Sequence, residues 1–263
     1  NGFGRIVIVD DGSGGSYRGI FDALQERPFC TVLRHDKNRG KGVALKTGFA
    51  FIMERHGDSA GVVTADADGQ HSVGDCVMLA KALMADGDAV HIGSRDFSLG
   101  KTPFRSWIGN RWSSLSFAIV LGRWLPDTQT GLRAFPTSRL PLLMSVAGER
   151  YEYEMGVLMT MVRRNVPVKT PSIRTIYENG NACSHFSPIR DTIRINRLVL
   201  ADFFRFAGVS IASTTTLSSR KPLPLWWRMW FGMPAVSMCW LTTLEHLTPE
   251  KIWIFPIQIR RCF

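Results

Sequence analysis

The chain has 263 residues, 45% of them hydrophobic, and a net charge of +10 with a pI near 9.8. That length suffices for one sizeable α/β core plus an appendage, and the basic excess serves either solubility alone or a polyanionic partner: nucleic acid, anionic lipid or a phosphorylated substrate. Five scattered cysteines, Cys30, Cys76, Cys183, Cys239 and Cys262, form no CxxC pair, which argues against a zinc or disulfide framework and for reduced thiols in a cytoplasmic compartment.

The chain begins at Asn1, directly before a strand and without a signal peptide, so further natural sequence is expected upstream. Ile6–Val9 is a short apolar run ending in Asp10-Asp11-Gly12-Ser13, which predicts a strand opening into a polar loop. A carboxylate there can accept from a nucleobase imide or from ribose hydroxyls; the same residues also make ordinary turns and helix N-caps. A helix is expected over 16–26 and a strand over 30–34. Asn38-Arg39-Gly40-Lys41-Gly42 then forms a turn that lets backbone approach a ligand and offers a cation, although such turns are also plain loop chemistry. It precedes a helix over 42–55 with Leu45, Phe49, Ile52 and Met53 on one face. Tyr17 stands where the third glycine of GxGxxG would be, and Leu45 precedes Lys46-Thr47, so neither a dinucleotide fingerprint nor a P-loop is present.

Gly61–Ala65 is the next strand, ending at Asp66-Ala67-Asp68. Two carboxylates on alternate residues at a strand end can share a hard divalent cation, magnesium or manganese, and leave coordination positions for phosphate oxygens. Asp86-Gly87-Asp88 has the same pattern but lies where a loop enters a strand, the wrong end for a ligand, so position favours the first pair. Between the two, Cys76, Leu79, Ala80 and Leu83 mark a helix, and Ala89–Ile92 is a strand ending in Gly93-Ser94-Arg95. This alternation implies a parallel, doubly wound sheet with ligands outside the strand carboxyl ends.

Past residue 100 the alternation stops. Ile108, Trp112, Leu115 and Ile119 predict a long amphipathic helix, followed by a polar stretch from Asp127 to Arg133 and a helix with Met155, Leu158, Met159 and Val162 inward. Val166–Tyr177 reads as extended structure broken by Pro167 and Pro171. Over 188–206, Arg190, Arg194 and Arg197 line one side and Ile189, Ile193 and Leu200 another. That is the pattern of a basic helix lying on an anionic bilayer, or of an ordinary helix with a solvated face. The last segment crowds Trp226, Trp227, Trp230 and Trp240 with little periodicity. Its apolar runs fall short of the roughly 20 residues a spanning helix needs. Arg95, Arg105 and Arg133 stand at element boundaries or in polar loops, placed either to bind pyrophosphate or to be solvated.

Taken in order, IVIVDDGS, NRGKGVALKTG, ADADGQH, GSR, DTQTGLRAFP and YEYEM resemble the inverting family 2 glycosyltransferases, closest to the branch that loads sugars onto dolichol or undecaprenyl phosphate. The resemblance runs over about residues 5–206. It implies a three-layer α/β/α nucleotide-diphospho-sugar transferase fold of the GT-A type, with a mixed, mainly parallel sheet. By the same resemblance, Asp10 and Asp11 match an acidic pair holding the nucleoside, with Gly40 and Lys41 in the nucleotide-binding turn. Asp66 and Asp68 match the metal pair on the donor pyrophosphate, with Gln70 as a further ligand, and Asp68 thereby joins the catalytic set. Arg95 matches a phosphate-binding arginine, Arg105 and Arg133 take a similar part for donor or acceptor, and Asp127 lies where the family can place a catalytic carboxylate. His185 falls in a loop that closes over the donor. Glu152 and Glu154 open an acidic helix start, either as acceptor-site groups or as charges compensating the helix dipole.

The implied reaction is a metal-assisted, inverting transfer from a UDP- or GDP-linked sugar to a polyprenyl phosphate at the cytoplasmic face of a membrane. An anionic membrane surface and a membrane-domain partner fit that reading; nucleic acid does not. The expected organisation is a catalytic domain over 1–187, a basic juxtamembrane helix over 188–206 and an atypical Trp-rich tail over 207–263. Two departures stand out: the family's opening strand, ending in a Pro-x-Tyr-Asn-Glu-like stretch, is not found, and the tail does not look like the transmembrane helices that commonly follow. Two alternatives stay open. One is a soluble transferase acting on a saccharide or protein hydroxyl, which needs a strong general base and no basic helix. The other is a catalytically dead remnant that binds nucleotide.

Overall fold

The computed structural model describes residues 4–96, 104–174 and 176, and the strand 252–257. Strands β1 (Arg5–Asp10), β2 (Cys30–Arg34), β3 (Gly61–Thr64) and β4 (Val90–Ile92) alternate with helices α1 (Arg18–Gln25), α2 (Lys41–His56) and α3 (Val73–Ala85), as the hydrophobic spacing predicts. A two-residue strand β5 (Ser94–Arg95) leads on to α4 (Phe104–Leu121), β6 (Arg133–Pro136), α5 (Leu140–Ser145) and α6 (Glu152–Arg163). Strands β7 (Val168–Lys169), β8 (Ser172–Ile173) and β9 (Ile252–Ile257) complete the described chain.

Seven strands form one sheet in the order β2-β1-β9-β3-β6-β4-β7, and β5 pairs with β8 beside it. All are parallel except β6, which runs antiparallel to β3 and β4. The period-2 alternation of strand side chains puts a core on each face. Val7, Val9, Val62 and Phe135 pack with Leu45, Phe49, Ile52, Phe117, Leu158 and their neighbours from α2, α4, α5 and α6. On the other face Val63 and Ala134 meet Cys76, Leu79 and Leu83 of α3, and Ile8 meets Phe21 and Leu24 of α1. The result is three layers, helix on sheet on helix, around a mixed and mainly parallel sheet. The α3 start is closed by Ser72, whose Oγ accepts from Asp75 N–H at 3.1 Å and donates to Asp75 Oδ2 at 2.6 Å.

Three features differ from the sequence reading. The polar stretch from Asp127 leads directly into β6, whose reversed direction brings Arg133 opposite Thr64 at the carboxyl edge. Helix α4 is amphipathic in the opposite sense to its apolar spacing: Trp112, Leu115 and Ile119 are exposed, while Asn110, Ser114 and Phe117 are buried. The buried polar face has a task, because Asn110 Nδ2 donates to Pro126 O at 2.7 Å and Ser113 Oγ lies 2.7 Å from Thr128 Oγ1, bracing the turn around Asp127. Finally, residues 252–257, assigned by sequence to the tail, form a strand inside the sheet, with Arg5–Asp10 on one side and Val62–Thr64 on the other. Pro256 falls opposite Val9 at a point where β3 no longer runs alongside, so its missing N–H interrupts no two-sided ladder. Among the described residues no helix is long and apolar enough to cross a membrane.

Candidate active site at the carboxyl edge of the sheet

The parallel strands β1, β3 and β4 deliver their terminal residues to one edge, and the turn before β6 joins them there because β6 runs backwards. At the end of β1, Asp10 Oδ1 accepts from Ser13 N–H at 2.9 Å, which closes the Asp10–Ser13 turn. Asp11 is 1% exposed, and its carboxylate organises the following loop. It lies 2.7 Å from His35 Nδ1 and accepts from the backbone N–H groups of Arg39 at 2.9 Å and Gly40 at 2.8 Å. Gly40 adopts φ +103, and a Cβ there would lie 2.5 Å from Glu149 O, so only glycine fits this entry into α2. Asp11 thus shapes the 35–41 turn while Asp10 closes its own, and His35 is a member of the site that sequence spacing did not single out.

Lys41, the first residue of α2, joins the second cluster. Its Nζ stands 2.7 Å from Asp66 Oδ1 and 2.7 Å from Glu154 Oε2, with the Tyr151 ring centroid 5.7 Å away. Asp66 is wedged from behind by Gly131, where a Cβ would lie 2.2 Å from Asp66 Oδ2. Burial favours the neutral acid, yet the Lys41 ammonium, aided by His71 and Arg133, holds the Asp66 carboxyl below the ordinary carboxylate range. Burial likewise works against the Lys41 charge, but Asp66 and Glu154 overcome it and raise the pKa of the lysine. Asp68 pairs with no ammonium among the described residues: burial first, and the Asp66 charge second, push its carboxyl up to about 6 against a weaker pull from Lys41. Gln70 N–H donates to Asp68 Oδ1 at 3.1 Å, so its backbone braces the second carboxylate.

The third cluster is Asp127 with Arg95. Asp127 is 0% exposed and grips the guanidinium through Oδ2 to Nε at 2.7 Å and Oδ1 to Nη2 at 3.2 Å. It also accepts from Gln129 N–H at 3.0 Å. Arg133 is enclosed: Nε donates to Thr130 O at 2.9 Å, Nη1 to Glu154 O at 2.8 Å, and Nη2 lies 3.9 Å from Glu154 Oε1. In this arrangement Arg133 fixes Glu154 and the turn before β6 and faces no open surface. His71, also not singled out by spacing, has a buried Nδ1 without a hydrogen-bond partner, and burial lowers its pKa against the pull of Asp66. Beside Arg95 a cleft of about 700 Å³ is lined by Asp75, Met78, Asp96, Ile173 and Arg174.

Asp86 and Asp88 lie at the opposite edge, where Asp86 Oδ2 pairs with Lys169 Nζ at 2.5 Å. Arg105 falls in the first turn of α4 with its side chain outside the description, and His185 and the helix expected over 188–206 lie outside the described residues. Among the described residues, no group of three or more His, Cys, Asp or Glu side chains is gathered to hold a metal ion. The Asp66 and Asp68 pair still fits a hard divalent cation on two counts. Its donors are carboxylate oxygens suited to an ion that keeps positions for water and phosphate, and a lysine ammonium already stands as a cation on Asp66.

A family model described as Glycosyl transferase family 2 matches residues 4–138. An uncharacterized protein of Methanocaldococcus jannaschii is 31% identical over 180 residues, covering 67% of this chain and 72% of its own. The UDP-N-acetylglucosamine–dolichyl-phosphate N-acetylglucosaminyltransferase of Methanococcus voltae is 29% identical over 192 residues, 66% of this chain and 76% of its own. Among solved structures, glucosyl-3-phosphoglycerate synthase from Mycobacterium tuberculosis in complex with UDP superposes with a TM-score of 0.50 at 14% identity, covering 85% of this chain and 88% of that one, a likeness of fold.

Proposed function

The chain belongs to glycosyl transferase family 2 and has the GT-A type α/β fold, and from that premise we propose that it transfers a sugar from a nucleoside-diphosphate donor to a polyprenyl phosphate at a membrane surface. The observation that carries this reading is the convergence of Asp66, Asp68, Lys41 and the Asp127–Arg95 pair on one sheet edge. The name of the Methanococcus voltae relative supplies the donor and acceptor classes.

In this reading the 35–41 turn, shaped by Asp11, holds the nucleoside end, and Asp66 and Asp68 would hold a magnesium or manganese ion. Bound there, the ion would neutralise charge developing on the departing nucleoside diphosphate. The Arg95 guanidinium, kept in one orientation by Asp127, offers preorganised donors to a phosphate oxygen without reorganising during the reaction. An acceptor phosphate monoester has a second pKa near 6 and is largely dianionic at pH 7, so its oxygen attacks the anomeric carbon without a base. That agrees with an Asp127 engaged by Arg95 and Gln129. The remaining site assignments, Asp10, Gly40, Gln70, Arg105 and His185, are part of the same proposal, as are the catalytic domain and the basic helix. So is residence at the cytoplasmic face, with the helix expected over 188–206 on anionic lipid. Arg133 holds Glu154 in place instead of meeting a phosphate, and residues 252–257 of the tail belong with the catalytic sheet.

The test is an acceptor panel. UDP- and GDP-linked radiolabelled sugars are offered with polyprenyl phosphate, oligosaccharide or peptide acceptors. Label extracted into the organic phase supports the proposal; label on a saccharide or peptide hydroxyl alone moves the soluble-transferase reading ahead.

A further inference from the structure

Lys41 holds the same Asp66 oxygen that the proposed cation needs. Its ammonium lies 2.7 Å from Asp66 Oδ1 and from Glu154 Oε2, with the side chain only 11% exposed. An ammonium and a divalent ion on one carboxylate oxygen sit within a few ångströms of each other and repel, at a site too enclosed for water to screen them well. Lysine also has a long flexible stem, so its charge can move while its backbone stays at the start of α2. The donor's diphosphate brings new anionic oxygens to this edge, and Glu154 remains as the second anchor.

We propose that Lys41 is an internal counter-ion that closes Asp66 to the divalent cation until a nucleoside diphosphate draws the ammonium away, so that cation and nucleotide enter the site together. This rests on the reading of Asp66 and Asp68 as the cation pair. Linkage makes the effect reciprocal: the factor by which nucleotide tightens manganese is the factor by which manganese tightens nucleotide. A Lys41 that served only as a phosphate ligand would strengthen nucleotide binding and leave manganese binding to the nucleotide-free protein untouched. The two roles therefore separate in an experiment without turnover.

Manganese binding is measured by paramagnetic resonance on the full chain, with and without UDP or GDP, for the wild type, Lys41→Met, Lys41→Arg and Asp68→Asn. The inference expects nucleotide-free Lys41→Met to bind manganese on the order of tenfold more tightly than wild type, with a smaller gain on adding nucleotide. Lys41→Arg, which keeps the charge, should stay as weak as wild type. Equal nucleotide-free affinities in wild type and Lys41→Met, with binding lost in Asp68→Asn, overturn the Lys41 role and leave the cation pair standing. No manganese binding by wild type even with nucleotide overturns both. Should Lys41→Met not fold, the ¹⁵N ammonium resonance of Lys41 in the wild type decides: it should move when magnesium and UDP or GDP are added together and not with magnesium alone. Movement with magnesium alone refutes the inference.

Discussion

Asp68 stands next to a carboxylate that already has its counter-ion, and the consequence is a stability effect with a definite sign. Burial and the Asp66 charge raise its carboxyl from 3.8 to about 6, so the folded protein favours the neutral acid. The stabilisation from that proton is complete below the ordinary value and is lost as pH rises through about 6. Without metal or nucleotide, Asp68→Asn should therefore raise the melting temperature at pH 7.5. Discounted for partial exposure, the gain is on the order of 1 kcal/mol, or about 2–4 °C, and it should vanish near pH 4. Thermal unfolding in chelator at both pH values checks this, and a lower melting temperature at pH 7.5 contradicts it. The Asp66 and Asp68 pair was legible because its spacing and strand-end position could be read locally. The Lys41–Asp66–Glu154 bridge was not: it links the starts of two helices to a strand end, and no local pattern records which charges meet across the sheet edge. His35 and His71 escaped for the same reason, since a lone histidine carries no spacing to read.

Helix α4 shows what periodicity supplies at the scale of an element and what it omits. Apolar residues at helical spacing correctly indicated a helix, but the face they mark is the outer one, with Ile119 67% exposed and Phe117 1% exposed. The inward face carries Asn110 and Ser114 because it must satisfy the backbone around Pro126 that holds Asp127 in place. Phe117→Ala should cost about 3–4 kcal/mol through the cavity it leaves, whereas Ile119→Ser should change stability by no more than about 0.5 kcal/mol. Denaturant unfolding of the two variants distinguishes the faces; the reverse order would mean that the apolar stripe is core. Strand β6 was hidden by a different cause. Its four residues, Arg133–Pro136, follow a polar turn and include a buried arginine, so they lack the apolar run by which the parallel strands announce themselves.

For the whole molecule, the strand order places β9 between β1 and β3, inside the sheet and between the two acidic strand ends. The Trp-rich tail offered no periodicity to suggest this, and partner choice between distant strands is decided by tertiary pairing. Chain shortened to end at residue 250 would leave β1 and β3 each with an unpaired inner edge. It should lose cooperative unfolding and the amide protection of Val7 and Val63 in hydrogen exchange; unchanged protection would mean that β9 does not hold the sheet together. The acidic ends on either side of β9 are the basis of the proposed chemistry, and one measurement reaches it most directly. Transfer of radiolabelled sugar from its nucleotide to polyprenyl phosphate is followed with manganese or with chelator, for the wild type, Asp68→Asn and Asp88→Asn. Lipid-linked label should form with manganese in the wild type and in Asp88→Asn, and should be lost with chelator and in Asp68→Asn. Equal label with and without chelator, or equal losses in both variants, would contradict a cation held by Asp66 and Asp68.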